Sequence, residues 1–182
     1  MRNGPPKTFL LDAVEVVAPL LLGWRIRTRI GGALTELRIT EVEAYHQDDP
    51  ASHSFGGPRG RNVVMFESPG RLYVYRSYGI HWCANVVCGP AGTGAAVLLR
   101  AGLPTTGLQT MIERRGRVDH LADGPGKLTQ ALGISERHNG VDLFSLRSEV
   151  RLLTGPAPTD IRVTTRIGIS KATEVPWRFV AG

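Results

Sequence analysis

Glu41 and Glu43 stand two residues apart in the stretch ITEVEAY at 39–45, which reads as a strand. Alternate side chains of a strand share a face. Leu37, Ile39, Glu41, Glu43 and Tyr45 are therefore expected on one face, with Arg38, Thr40, Val42 and Ala44 on the other. The first face runs from apolar residues into two carboxylates and a phenol. The two glutamate Cα atoms would lie about 6.6 Å apart by strand rise. In a shared cleft, burial and mutual repulsion would raise a pKa and suit one of them to act as a general base. At a strand end the same residues would serve equally as surface groups, since glutamate is seldom fully buried.

Other residues suited to chemistry follow. The loop at 47–62 is rich in Gly, Pro, Arg and Asp and holds His53, Arg59 and Arg61. Its length and lack of apolar periodicity mark a functional loop. His53 is either an ordinary hydrogen-bonding group or a catalyst, and His46, His53 and His81 form no recognisable metal motif. Segments 71–75 and 80–87 flank Arg76, Ser77, Tyr78 and Gly79, the pattern of a β-hairpin with Gly79 at positive φ. Tyr78 stands at its tip, folded back on the sheet or presented to a partner. Tyr73 and Tyr75 share a face, as core or as walls for a planar ligand. Asn85 inserts an amide into an apolar run and must find a partner. The apolar segment 95–99 should be a central strand delivering Arg100 at its end, to an ion pair or to a site.

The segment DGPGK at 123–127 precedes a helix, where free N–H groups, the helix dipole and Lys127 would make a seat for phosphate. It is not a P-loop, and GPAGTGAAV at 89–97 fails the dinucleotide fingerprint, so neither a nucleotide cofactor nor a metal is expected.

The scaffold expected around these residues starts with helix over 8–24, then strands over 25–29 and 34–45 about Gly31 and Gly32. Helices over 106–115 and 127–132 should turn Leu108, Met111 and Ile112, and Leu128, Ala131 and Leu132, to the core. Strand-like sequence over 151–180 completes the sheet. The chain has 182 residues, 42% of them apolar and 21% charged, which fits one domain over 1–182. Cys83 and Cys88 support neither a disulfide framework nor a zinc site. Asp12, Glu15 and Pro19 interrupt the most apolar stretch, so no membrane span and no secretory signal are expected, and a reducing interior is. The net charge of +6 comes with 19 Arg and only 3 Lys. Arginine forks suit phosphate oxygens, so the charge points to nucleic acid or an acidic membrane surface, or else to a solvated face.

Taken in order, ITEVEAY at 39–45, ASHSFGG at 51–57, RLYVYRSYGIHWCANV at 71–86, AVLLRA at 96–101, GPGKLTQALGI at 124–134, TRIGI at 165–169 and PWRF at 176–179 resemble the alkyladenine (3-methyladenine) DNA glycosylase family. The resemblance covers nearly the whole chain. It implies an α+β single domain on a curved, mainly antiparallel sheet with flanking helices and a protruding, DNA-intercalating hairpin. The activity implied is monofunctional. An alkylated or deaminated purine is flipped from duplex DNA, its N-glycosidic bond is hydrolysed, and an abasic site remains. By the same match Glu43 is the base that activates water, with Arg100 and the carbonyl of Ile167 holding that water. Tyr45, and Tyr75 with His53, sandwich the flipped base. Asn85 rejects guanine by crowding its amino group, and the N–H of His53 donates to the base edge. Tyr78 fills the gap in the stack, flanked by Ile80. From loop position and charge, Arg59, Arg61, Arg76 and Lys127 are expected to grip phosphate. The protein so implied is a monomer needing no cofactor, metal or membrane, whose partner is damaged double-stranded DNA. It would be cytoplasmic, and associated with the nucleoid in a bacterium. Two other readings of the residues are a nucleic-acid-binding module without chemistry, and a small hydrolase using Glu41 and Glu43 on another glycoside.

Overall fold

Among the described residues, short segments of alternating, β-rich sequence form eight strands, and every pairing between them is antiparallel. The computed structural model describes residues 7–182, so the first six residues of the expected 1–182 domain lie outside it. The strands are β1 (Arg25–Ile30), β2 (Ala33–His46), β3 (Leu72–Ser77), β4 (His81–Val87), β5 (Ala95–Thr106), β6 (Val150–Leu153), β7 (Ile161–Thr164) and β8 (Arg178–Ala181). Their order is β3-β4-β5-β2-β1-β6, with β8 on the far half of β2 and β7 on β8. The expected α+β class, a curved antiparallel sheet with flanking helices, is found, and β5 is central as expected.

One face of the sheet packs on α1 (Val14–Leu20), α2 (Leu108–Arg115) and α3 (Pro125–Leu132). There α1 buries Val14, Val17 and Ala18, and α3 buries Leu128, Ala131 and Leu132. Pro125 opens α3 where a missing N–H costs nothing, and Gly133, at φ 75°, closes it. In α2, Met111 is buried but Leu108 is 52% exposed, against its expected place on the core face. Leu108 is the first residue of that helix, at the rim where the chain has just left β5, so no neighbour covers it. The other sheet face carries a smaller apolar cluster of Val64, Met65, Tyr73, Val87 and Ala96 beneath the loop and 3-10 turn that precede β3. Among the described residues no helix is long and apolar enough to cross a membrane.

The single-face alternation expected along β2 is broken. Leu37 and Ile39 lie in the helix-side core, and so do Val42 and Ala44. The register explains it: Ile39 pairs with Gly102, Glu41 with Ala101 and Val42 with Leu99, so Thr40 on β2 and Arg100 on β5 are each an extra residue. A one-residue slip exchanges the two faces of a strand. After Thr40 the apolar residues stay in the core by taking the even positions. Glu41, Glu43 and Tyr45 are thereby turned to the opposite face, and Arg100 joins them.

Gly102 sits beside this double bulge, and a Cβ there would come within 2.9 Å of the Arg38 carbonyl oxygen. Gly102→Ala should therefore destabilise the fold by about 1–3 kcal/mol. Urea unfolding should show a lower midpoint with an unchanged slope, and an unchanged midpoint would mean that the bulge tolerates a side chain.

Candidate active site

Cross-strand register places the site. Tyr73 on β3 faces Asn85 on β4, Asn85 faces Leu98 on β5, Leu98 faces Glu43 on β2, and Glu43 faces Arg178 on β8. One row of side chains thus crosses five strands on the face away from the helices. Tyr75 and Tyr45 lie two positions along their strands from this row and so share its face.

Glu43 is wholly buried, at 0% exposure. Three donors replace its water: Ile167 N–H on Oε1 at 2.8 Å, and the Tyr45 hydroxyl (2.9 Å) and Arg100 Nη1 (3.2 Å) on Oε2. An ionised carboxylate has about four acceptor directions, so one stays open. Arg100 also donates through Nε to Glu41 Oε1 at 2.7 Å, and Arg178 Nε reaches the same oxygen at 2.7 Å. Two carboxylates and two guanidiniums therefore alternate in one half-buried chain of charge. The raised pKa expected for one of the two glutamates is not found at Glu41. Burial pushes its carboxyl up, but the hydrogen bonds from Arg178 and Arg100 and their charges outweigh it and hold the group below its ordinary range.

Above Glu43 opens a cavity of about 580 Å³. Tyr45, His53, Tyr75, Asn85, Arg100 and Ile167 all line it, so the structure brings to one cavity every residue expected to hold the base or the attacking water. Glu43 itself lies one layer behind the wall, covered by its own donors. The expected water-holding group, the Ile167 carbonyl, is not what meets Glu43; the Ile167 amide does so directly. On one side the aromatic wall is a cluster. The rings of Tyr73 and Tyr75 stack at 5.5 Å, the His53 ring meets Tyr75 edge-on at 4.3 Å, and His53 Nδ1 pairs with the Tyr73 hydroxyl at 3.2 Å. Burial pushes the Tyr73 phenol up to about 12 and the Tyr75 phenol well above its usual range. Burial, and then the charge of Arg61, holds the His53 ring below its ordinary value and so neutral at pH 7. Asn85 donates from Nδ2 to the Tyr73 carbonyl at 3.1 Å, the partner that its place in an apolar strand required.

On the opposite side stands Tyr45. Burial and the Glu43 charge raise its phenol, which stays protonated and donating. The guanidinium of Arg166 lies over the Tyr45 ring at 4.8 Å and near that of Trp177 at 5.5 Å. Arg166 is itself buried, donates to the Ala44 and Ala172 carbonyls, and pairs with Asp49. Sequence reasoning gave neither Arg166 nor Arg178 a role. Each acts on residues more than 110 positions away, and only TRIGI and PWRF marked their neighbourhoods.

The hairpin between β3 and β4 carries Tyr78 at its tip, 87% exposed, beside Ile80 at 68%. Tyr78 and Gly79 both take positive φ, 50° and 68°, so the strain expected of Gly79 alone is shared by a tyrosine. Ile80 faces away from the cavity, into a second hollow with His81 and Trp82. The expected phosphate grips are dispersed. Arg59 is exposed and donates to the Phe55 carbonyl. Arg76 lies over Trp82, at 5.7 Å, and lines the cavity mouth. Lys127 differs from expectation, because its ammonium is bonded to Asp123 at 2.7 Å. That bond, with a second from His120, brings the Asp123 carboxyl down to about 2. Arg61 is a cavity residue, its guanidinium 5.8 Å from the Tyr75 ring centre.

Comparison with known proteins gives the family. Residues 8–182 match the family described as methylpurine-DNA glycosylase. The chain is 50% identical over 187 residues to a protein of Rhodopseudomonas palustris (strain BisB18) provisionally named 3-methyladenine DNA glycosylase, covering 98% of this chain and 88% of that one. Proteins with the same provisional name from Nitrosospira multiformis and Granulibacter bethesdensis are 48% and 47% identical, over 96% and 97% of this chain and 88% and 83% of their own lengths. A buried carboxylate under an aromatic cavity, beside a hairpin with an exposed tyrosine, thus occurs in a chain that belongs to the methylpurine-DNA glycosylase family.

Proposed function

We propose that this chain, acting as one domain, is a DNA glycosylase of base excision repair that removes alkylated or deaminated purines from duplex DNA. The observation that carries the reading is Glu43: a carboxylate with no solvent exposure, placed behind an aromatic cavity of about 580 Å³, with one acceptor direction unused. A stacked base is out of reach of such a group, so the nucleotide must swing out of the helix. Tyr78, exposed at its tip, fills the gap, and Ile80 beside it leans on the neighbouring bases. The flipped base stacks between Tyr45 on one side and Tyr75 with His53 on the other. Asn85, fixed by its bond to Tyr73, crowds the amino group of guanine and so excludes a normal purine. The His53 N–H donates to an acceptor on the base edge.

Ile167 belongs to a segment without helix or strand, so its amide is the donor on Glu43 that can yield to a water. Glu43 orients that water toward C1′ and takes its proton as the bond to the base breaks. Its charge also favours the oxocarbenium character of the sugar. Arg100 and Glu41 act through position, holding the carboxylate in place. The products are a free base and an abasic site, released without a lysine adduct and without strand cleavage.

Glu43→Gln should reduce release of base from duplexes containing 1,N6-ethenoadenine, hypoxanthine or 3-methyladenine by at least about 100-fold while lesion binding persists; turnover near that of the wild type would remove Glu43 from the mechanism. Tyr78→Ser should weaken lesion-specific binding and base flipping, read from 2-aminopurine fluorescence beside the lesion, and an unaltered signal would contradict the wedge role. Glu41 carries a lowered pKa. The stability it contributes is fully present above its ordinary value of 4.5 and is lost as pH falls through the lower folded value. Glu41→Gln should accordingly flatten the fall in stability below about pH 4.5, measured by urea unfolding across pH.

A further inference from the structure

Of the arginines among the described residues only Arg166 is buried, and its side chain has no solvent exposure. A guanidinium taken out of water must be answered by acceptors. Nη1 donates to the Ala44 carbonyl at 3.1 Å and to the carboxylate of Asp49, and Nη2 donates to the Ala172 carbonyl at 3.2 Å. Nε has no partner. Apolar side chains of similar volume commonly stabilise a fold at least as well as a buried ion pair, even one with every N–H satisfied. Stability alone therefore does not account for Arg166, and the segments that it joins do.

Those segments are three parts of the cavity wall. Ala44 precedes Tyr45, whose ring centre lies 4.8 Å from the guanidinium. Asp49 opens the turn that carries Pro50, Ala51 and His53 to the wall, and its Oδ1 accepts from the Ala51 N–H at 2.9 Å. Ala172 closes a loop that begins at Arg166 itself, and all five residues between them, Ile167 to Lys171, line the cavity. At that closure Ala172 takes a positive φ, 48°, a strained conformation for a residue with a Cβ. The first residue of the loop donates its N–H to Glu43 Oε1 at 2.8 Å. That amide is one peptide unit from the buried anchor. Two of the three donors on Glu43, the Ile167 N–H and the Tyr45 hydroxyl, thus belong to groups braced by one guanidinium that is not itself on the cavity wall.

We propose that Arg166 is a positioning residue for base release: from behind the cavity it fixes the Ile167 amide and the Tyr45 ring against Glu43, and so aims the carboxylate that activates water. The inference rests on the glycosylase reading. Arg166 touches neither base nor water and acts through Glu43. Misplacement of a reacting group by about 1 Å is enough to cost about 100-fold in rate, so loss of the brace is felt in the chemical step more than in binding.

Lysine keeps a charge opposite Asp49 but lacks the planar fork that reaches three acceptors. Arg166→Lys should slow single-turnover release of hypoxanthine by at least about tenfold while the Kd for the lesion duplex stays within about threefold. In a Glu43→Gln background the same substitution should change the rate by less than about twofold, whereas a general loss of folding would slow both backgrounds alike. A second readout needs no substrate: hydrogen exchange at the Ile167 amide should quicken by at least about tenfold in Arg166→Lys, with the amides of β4 unchanged. If Arg166→Lys does not fold, the double variant Arg166→Met, Asp49→Asn removes both charges and keeps a side-chain oxygen for the Ala51 N–H, and the same results are expected of it. Wild-type rates, equal slowing in the Glu43→Gln background, or a loss of binding as large as the loss of rate would overturn the proposal. A wild type that releases no damaged base would overturn the glycosylase reading itself, and exchange at Ile167 would still decide whether Arg166 holds that amide.

Discussion

A carboxylate buried from solvent needs donors in place of water, and the structure is organised around the three that Glu43 receives. One comes from its own strand two residues on, one from the neighbouring strand and one from a segment more than 120 residues away. Arg100 links the carboxylate to Glu41, and Glu41 links to Arg178, so four charges neutralise one another in a half-buried chain. Breaking a buried pair by removing one partner is far more damaging than never having built it, because the remaining charge is left unpaired. The network is therefore poor at raising stability but well suited to fixing geometry. Catalysis by a positioned base calls for fixed geometry.

That chain of charge exists because of a defect in the sheet. Two extra residues, Thr40 on β2 and Arg100 on β5, lie almost opposite each other and cancel in length. The strands stay paired on both sides of the defect, but the faces of β2 are exchanged across it. The apolar residues before and after remain with the helices, and three polar residues emerge together on the other side. Bulges recur beside active sites because they re-aim side chains without ending the strand. Here the bulge also leaves β2 free to change partners, from β1 to β8, which brings Arg178 to Glu41.

The same economy governs the aromatic wall. Tyr73, Tyr75 and His53 support one another through ring contacts and a hydrogen bond, so the surface offered to a planar ligand is rigid before the ligand arrives. Tyr45 is held by its hydroxyl on Glu43 and by the guanidinium of Arg166 over its ring. One side chain thereby joins the aromatic wall to the buried carboxylate.

Local pattern in the amino-acid sequence was enough to place β1 to β5 and the hairpin with Tyr78 at its tip. Alternation and turn chemistry act over a few residues and survive whatever the rest of the chain does. The ordered motifs also named the residues that meet around the cavity, because such groups are tied to short segments whose spacing can be read. Tertiary structure alone decided the face on which Glu41 and Glu43 emerge, since a bulge depends on how two strands 60 positions apart fall into register. It alone paired Lys127 with Asp123, set the Ile167 amide on Glu43, placed Arg166 over Tyr45 and turned Arg61 into the cavity. Most of these outcomes are electrostatic or packing matches between segments far apart in the chain, and no periodicity along it encodes which long, flexible side chain will reach which partner.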